Sequence, residues 1–374
     1  MNLKTTTPVL EFDAHAADLA GGLSAALLLG DDLWLACDEL TSVERLTLRG
    51  DGLAFAGHRT FELRGPLALP ADGESRHDGK KIDPEIDIEG LDFEGGYLWL
   101  AGSHSPKRKK LDKDDRERPA AEQIEKLARV DPYGNRFLLA RVPFVRDAGE
   151  SVLAPASADR TLTAARLPGT MTDNFITDAI AGKGGGTPPD PHLAPWLALP
   201  GKDNGFDIEG LAVAGGRVFL GLRGPVLRGW AVVLELRVED AGPGALALEK
   251  IGPQGRAYRK HFLNLGGLGV RDLVLDGADL LILAGPTMTH DGPVRVFRWR
   301  DAARADGESV VWPNQLGEPL LEVRHGAGVD RAEGMSLVPG ADPAALLVVY
   351  DAPSRERVVE KDKSVLADVF ELPR

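Results

Sequence analysis

The chain reads as an all-β protein, a β-propeller of four-stranded blades, and three observations carry that reading. First, Asp87-Ile88-Glu89-Gly90-Leu91 returns as Asp207-Ile208-Glu209-Gly210-Leu211, each followed by strand-like residues, a Gly-Gly turn and a second apolar run. Second, a looser copy opens at Glu333-Gly334-Met335, and two further units, 23–39 and 270–287, keep the hairpin without the Glu. Third, the aligned positions Ser24, Glu89, Glu209, Arg271 and Glu333 are spaced by 65, 120, 62 and 62 residues. Four-stranded units repeated at roughly 60 residues have the period of propeller blades. Five blades are visible, and the double-length gap leaves room for a sixth.

The elements follow in chain order. Residues 7–12 form a short β-prone run ahead of the first unit. That unit supplies strands at 24–29, 33–37, 43–48 and 53–63, with alternation and Gly/Asp turns favouring strands over helices. Residues 71–85 read as a polar, mobile connection. In the second unit the hairpin 88–102 is followed by the tract PKRKKLDKDDRERP, with seven basic and four acidic residues. Such a tract reads mainly as a solvated loop, with a phosphate-binding arm as the alternative. Its outer strands fall at 124–130 and 136–144. Residues 147–206 break the pattern and read as a helical and loop insertion or a degenerate sixth blade. Their short helix is capped by Thr172 or Asp173, buries Phe175, Ile176, Ala179 and Ile180, and ends at Gly182. The third unit adds strands at 231–238 and 245–251. The fourth adds 294–299 and then a strand near 310–312 or 320–323. The fifth has only three, 333–338, 345–350 and 366–372, so the N-terminal strand 7–12 is expected to close the last blade.

Composition narrows the function. The 374 residues carry a net charge of −13, which argues against non-specific binding to nucleic acid or anionic lipid, since both need a positive field. No apolar stretch suits a membrane span, and the N-terminus shows no signal core, so a soluble cytoplasmic protein is expected. The lone cysteine, Cys37, sits in an apolar strand and reads as a small buried hydrophobe. The eight histidines contain no H-x-x-x-H or H-x-H pair, no G-x-S-x-G occurs, and Gly182-Lys183 lacks the glycine that a phosphate loop requires.

The signatures DIEG…LWLAGSHS (87–105), KDNGFDIEGLAV…GLRGP (202–225) and GVRDL (269–273) resemble those of an uncharacterised bacterial propeller family, a domain of unknown function. More distantly, NGFDIEGLA is similar to a signature of esterase-like phytase propellers, and the Glu-Gly pair is similar to the metal-binding opening of the gluconolactonase type. Ile208, between Asp207 and Glu209, departs from the phytase-like spacing.

In a propeller the first strand of each blade lines the channel. Ser24, Glu89, Glu209, Arg271 and Glu333 are therefore expected around one channel mouth. Asp87 and Asp207 share their side of the strand, and Glu39, His104, Arg223, Thr287 and Asp351 form an outer ring. Converging carboxylates raise one another's pKa unless something positive joins them. Three arrangements satisfy that condition: an ionic plug built on Arg271, a cation site, for which Ca²⁺ is the fitting ion, or directly catalytic carboxyls. The functional expectation is a divalent-cation-assisted hydrolase of a small anionic ester or lactone. In it Glu89, Glu209 and Glu333, with Asp87 and Asp207, hold the ion, Arg223 and Arg271 orient the anionic group, and His104 serves as base. The alternative is a non-catalytic propeller that binds a protein or a small ligand.

Overall fold

Strands that are apolar along their whole length need cover on both faces, and the second strand of every repeat receives it. Residues 33–37, 97–102, 217–224, 280–285 and 345–350 are buried throughout. The structure is a computed structural model, and it describes residues 5–13, 19–50, 54–70, 85–131, 134–183, 186–361 and 363–373. It is a β-propeller arrangement of antiparallel sheets. The inner strands Leu23–Leu29, Ile88–Glu94, Asp207–Ala214, Gly269–Asp276 and Arg331–Leu337 each open a sheet of four or more strands, and they touch one another in a closed circle. Among the described residues no helix is long and apolar enough to cross a membrane.

Chain closure differs in detail from the expectation for 7–12. Thr5 and Thr6 pair with Phe370 and Val369 at the edge of the last sheet. Val9–Glu11 instead cross to the first sheet, pairing antiparallel with Ser364–Leu366 and parallel with Ala54–Phe55. The N-terminal segment thus ties the last sheet to the first with two strands rather than one. A similar exchange links the third and fourth repeats. Ser309–Val311 pair parallel with His261–Leu263 of the third sheet, and Leu321–Val323 complete the fourth.

Other corrections concern the outer strands. Residues 120–128 form a helix rather than a strand, and the third strand of the second sheet is Leu139–Asp147. In the third sheet the fourth strand is Tyr258–Leu263, while Leu246–Leu248 pair only with the end of the preceding strand. Outer strands carry the weakest pattern because one face meets solvent and their partners vary. Within 147–206, Glu150–Leu153 and Ala165–Arg166 both pair with Leu139–Asp147. The helix there spans Phe175–Ala181 and is capped by Asn174, whose side chain accepts from Ile176 N and Thr177 N while Thr177 Oγ1 accepts from Asn174 N. Ile176 and Ile180 face the core, Phe175 is exposed, and Gly182 ends the helix in the left-handed conformation. Of the polar connection 71–85, residues 71–84 lie outside the described residues.

The repeated glycine has a packing cause. A Cβ at Gly90 would lie 2.5 Å from Leu211 Cβ of the next inner strand, and one at Gly334 would lie 2.8 Å from Ala26 N. Side chains then stitch these close strands together. Val213 N donates to Asp92 Oδ2 at 2.5 Å, Met335 N to Asp272 Oδ2 at 2.7 Å, and Leu28 N to Ser336 Oγ at 2.8 Å. Gly90→Ala should therefore cost about 1–3 kcal/mol through overpacking. Gly21→Ala, where a Cβ meets nothing within 4 Å, should stay within about 0.5 kcal/mol of the parent. Urea unfolding of the two variants compares them directly.

Candidate functional site: a carboxyl-rich cavity at the channel mouth

The five aligned positions share one backbone device. In each inner strand the ladder skips one residue, so that two residues face one on the partner strand. Register passes from Leu23 to Ala25, Ile88 to Gly90, Ile208 to Gly210, Val270 to Asp272, and Ala332 to Gly334. The extra residue is Ser24, Glu89, Glu209, Arg271 or Glu333 in turn. A bulge frees its residue from the ladder and re-aims the side chain. Arg223 is a sixth case, standing between Leu222 and Gly224 as they pair with Ile208 and Asp207.

Three guanidinium groups neutralise part of what these bulges bring together. Glu209 is held by two of them, with Arg223 Nη1 donating to Oε1 at 2.5 Å and Arg271 Nε lying 3.0 Å from Oε2. Arg271 also reaches across to Glu333 through Nη2. Arg136 pairs with Asp87 (Nη2 to Oδ1, 2.7 Å) and with Glu85 (3.1 Å), and Lys107 Nζ adds a contact to Glu85 at 3.0 Å. Glu89 stands outside this arrangement. It is buried, and no ion pair or hydrogen bond reaches its carboxyl from the described residues.

Glu89, Asp87, Asp207, Glu209, Glu333, Asp38 and Arg223 all line one cavity of about 500 Å³. Burial, reinforced by Asp87, Glu209, Asp38 and Asp207, raises the Glu89 pKa well above 4.5. Asp207 is pushed up to about 8 by burial and by Glu209, against the pull of Arg223. Asp38 is pushed up to about 7, chiefly by burial and then by Asp87. Burial without a cation favours the neutral acid, so Glu89, Asp207 and Asp38 keep their protons to higher pH than free carboxyls do. The charged tract forms part of the cavity wall and is not merely a solvated loop. Lys107 and Arg108 pair with Asp131 and Val130, Arg108 Nε meets Asp203 Oδ2 at 2.7 Å, and Lys107–Leu111 line the cavity.

The structure thus gathers Glu89, Glu209, Glu333, Asp87, Asp207, Arg223 and Arg271 as the repeat implied. It does not bring His104 or Ser24 to the cavity. His104 is buried in the left-handed conformation, with Nδ1 donating to Gly102 O at 2.8 Å and Nε2 accepting from Asn174 Nδ2 at 2.6 Å. Burial lowers its pKa to about 4. The Ser24 hydroxyl donates to Ile88 O at 2.6 Å. Three residues of the site were missed: Arg136, Glu85 and Asp38. The first two lie outside the repeat, whereas Asp38 precedes the outer-ring Glu39 and was within reach of the same alignment.

The donor set was tested against the expected Ca²⁺. This ion takes six to eight oxygens, but the carboxylates that face one another here are bridged by guanidinium N–H groups. Among the described residues no three Asp, Glu, His or Cys side chains gather in a metal-holding group. The positive charge that Glu209 and Glu333 share is the guanidinium of Arg271.

Fold and site define the class: a β-propeller with a cavity of arginine-bridged and buried, unpaired carboxyl groups at its channel mouth. The chain belongs to the family described as "Protein of unknown function (DUF3616)", which matches residues 22–368. No curated protein sequence matches it. Among solved structures it is similar to a glutaminyl cyclase of Myxococcus xanthus, at 9% identity and a TM-score of 0.37, covering 98% of this chain and 100% of that one. It is similar also to a streptogramin B lyase, at 9% identity and a TM-score of 0.36, covering 98% of each. A third is a putative 6-phosphogluconolactonase from Bacteroides uniformis, at 11% identity and a TM-score of 0.30, covering 86% of this chain and 62% of that one. Likeness at this level carries no chemistry across.

Arg271 gives the test of the bridge. Arg271→Met leaves Glu209 and Glu333 facing each other without their shared cation, and breaking a buried pair in this way costs about 3–5 kcal/mol. The loss should appear near pH 7.5 as a lower melting temperature and shrink toward pH 5, because protonated carboxyls no longer repel. Chelator should leave the wild-type melt unchanged.

Proposed function

We propose that the protein is an acid–base hydrolase of a small ester or lactone, working without a resident metal in the cavity at the channel mouth. The observation that carries this reading is Glu89, a buried, unpaired carboxyl that lines an open cavity beside a carboxylate clamped by two arginines. An enzyme that must protonate a leaving group near neutral pH needs a carboxyl kept neutral by its surroundings. Glu89 would give its proton to the alkoxide oxygen as the acyl C–O bond breaks. Asp38, lining the same cavity with a pKa near 7, is best matched to accept the proton of the attacking water. The two arginines would act by fixing Glu209, so that its charge helps to hold Glu89 neutral.

A second reading uses the same cavity to retain a ligand without turning it over. The Arg271 bridge, which closes part of the channel, favours it. The two separate on Glu89→Gln, which keeps the volume and the neutral state but removes the proton that can be transferred. In a screen of carboxylic esters and lactones, the enzyme reading expects wild-type turnover to fall at least about 100-fold in this variant. Absence of turnover by wild type across the screen would favour the ligand-holding reading.

The same variant tests the electrostatics through stability. Because the native pKa of Glu89 lies above its unfolded value, its contribution is fully present below about pH 4.5. It is lost as pH rises through the native pKa. Relative to wild type, Glu89→Gln should therefore gain stability as pH is raised from 5 to 8. Parallel melting curves at the two pH values give the difference, and a variant whose offset does not change with pH would contradict the assignment.

A further inference from the structure

Beside the acidic cavity lies a smaller one, of about 50 Å³, lined by the loop 286–292 that follows the second strand of the fourth sheet and by residues from 325–333. Lys202, Arg223, Thr289, Glu333 and Asp351 line both cavities, so the two adjoin. The lining of the smaller one differs in sign. Arg223, Arg271, Lys202, Arg331, His290 and His325 supply N–H donors. The three acidic residues there are already engaged. Glu333 takes Arg271, Asp351 lies 3.5 Å from Arg331 Nη1, and Asp291 Oδ1 accepts from Gly328 N at 2.8 Å. No ion pair among the described residues occupies Lys202.

The arginines also have donors to spare. Arg223 donates Nε to Thr287 O and Nη1 to Glu209, while Arg271 donates Nη2 to Glu333 and its Nε makes only an ion-pair contact with Glu209. Among the described residues no hydrogen bond takes up Arg223 Nη2 or Arg271 Nη1. Guanidinium N–H groups are geometrically matched to carboxylates. The annex is much smaller than the adjoining cavity, about 50 Å³ against about 500 Å³, and so suits a small anionic group.

We propose that this annex binds the free carboxylate of the substrate, whose ester or lactone group then lies in the adjoining acidic cavity. This rests on the hydrolase reading for what happens in the larger space. The substrate class is therefore a small half-ester or a carboxylated lactone, with an anionic end and an uncharged reacting end. The spare guanidinium donors draw the anionic end into the annex and leave the larger cavity to the uncharged reacting end.

The test compares binding of monomethyl glutarate and dimethyl glutarate to the full chain by calorimetry at pH 7. These probes differ only in the free carboxylate. The monoester should bind at least tenfold more tightly, and the double variant Arg331→Gln/His325→Gln, at the exposed rim, should weaken it at least tenfold while leaving the diester unchanged. Circular dichroism and melting confirm that the double variant is folded. Binding is read independently of turnover, so a failed hydrolysis screen leaves this result standing and the two readings fail separately. Failure of the monoester to bind, equal binding of both probes, or unaltered binding in a folded double variant would overturn it.

Discussion

Carboxylates cannot share a narrow channel unless something neutralises them, and that constraint organises this protein. The repeat delivers one bulged residue per inner strand to the mouth, and three of the five are glutamates. The fourth repeat delivers Arg271 instead. Its guanidinium sits between Glu209 and Glu333, which makes the ring of inner strands tolerable at neutral pH. Arg223, itself brought in by a break in register, adds a second cation to Glu209. What remains uncompensated is Glu89, and burial raises its pKa well above the usual carboxylate range.

The same backbone device links sequence, packing and site. The residue after each bulged Glu is glycine, and at Gly90 and Gly334 a side chain would run into the neighbouring inner strand. Glu-Gly is thus two requirements in adjacent positions. The bulge turns Glu toward the channel, and Gly90 lets the next strand come close enough for Asp92 to accept the backbone N–H of Val213.

Much of this was legible in the sequence, and the limits have physical causes. The inner hairpins announce themselves because buried strands are apolar on both faces, and aligning their turns brought Glu89, Glu209, Arg271 and Glu333 to one place. Outer strands were misjudged where their partners come from another repeat, as with Ser309–Val311 on the third sheet. His104 stood at the right alignment position, yet its ring is consumed by Gly102 O and Asn174. A repeat predicts where a residue sits, not what its side chain will find there. Arg136 and the cavity-lining tract at Lys107–Leu111 lie between repeats, and no periodicity marks them.

The central claim is that a neutral Glu89 stands beside an arginine-clamped Glu209 at neutral pH. Infrared difference spectroscopy of wild type against Glu89→Gln at pH 7, with the carboxyl carbons labelled, observes it directly. The account predicts a protonated carboxylic C=O band in wild type that the variant lacks and that fades as pH is raised well above neutrality. A difference spectrum showing only the symmetric and antisymmetric bands of an ionised carboxylate at pH 7 would contradict it.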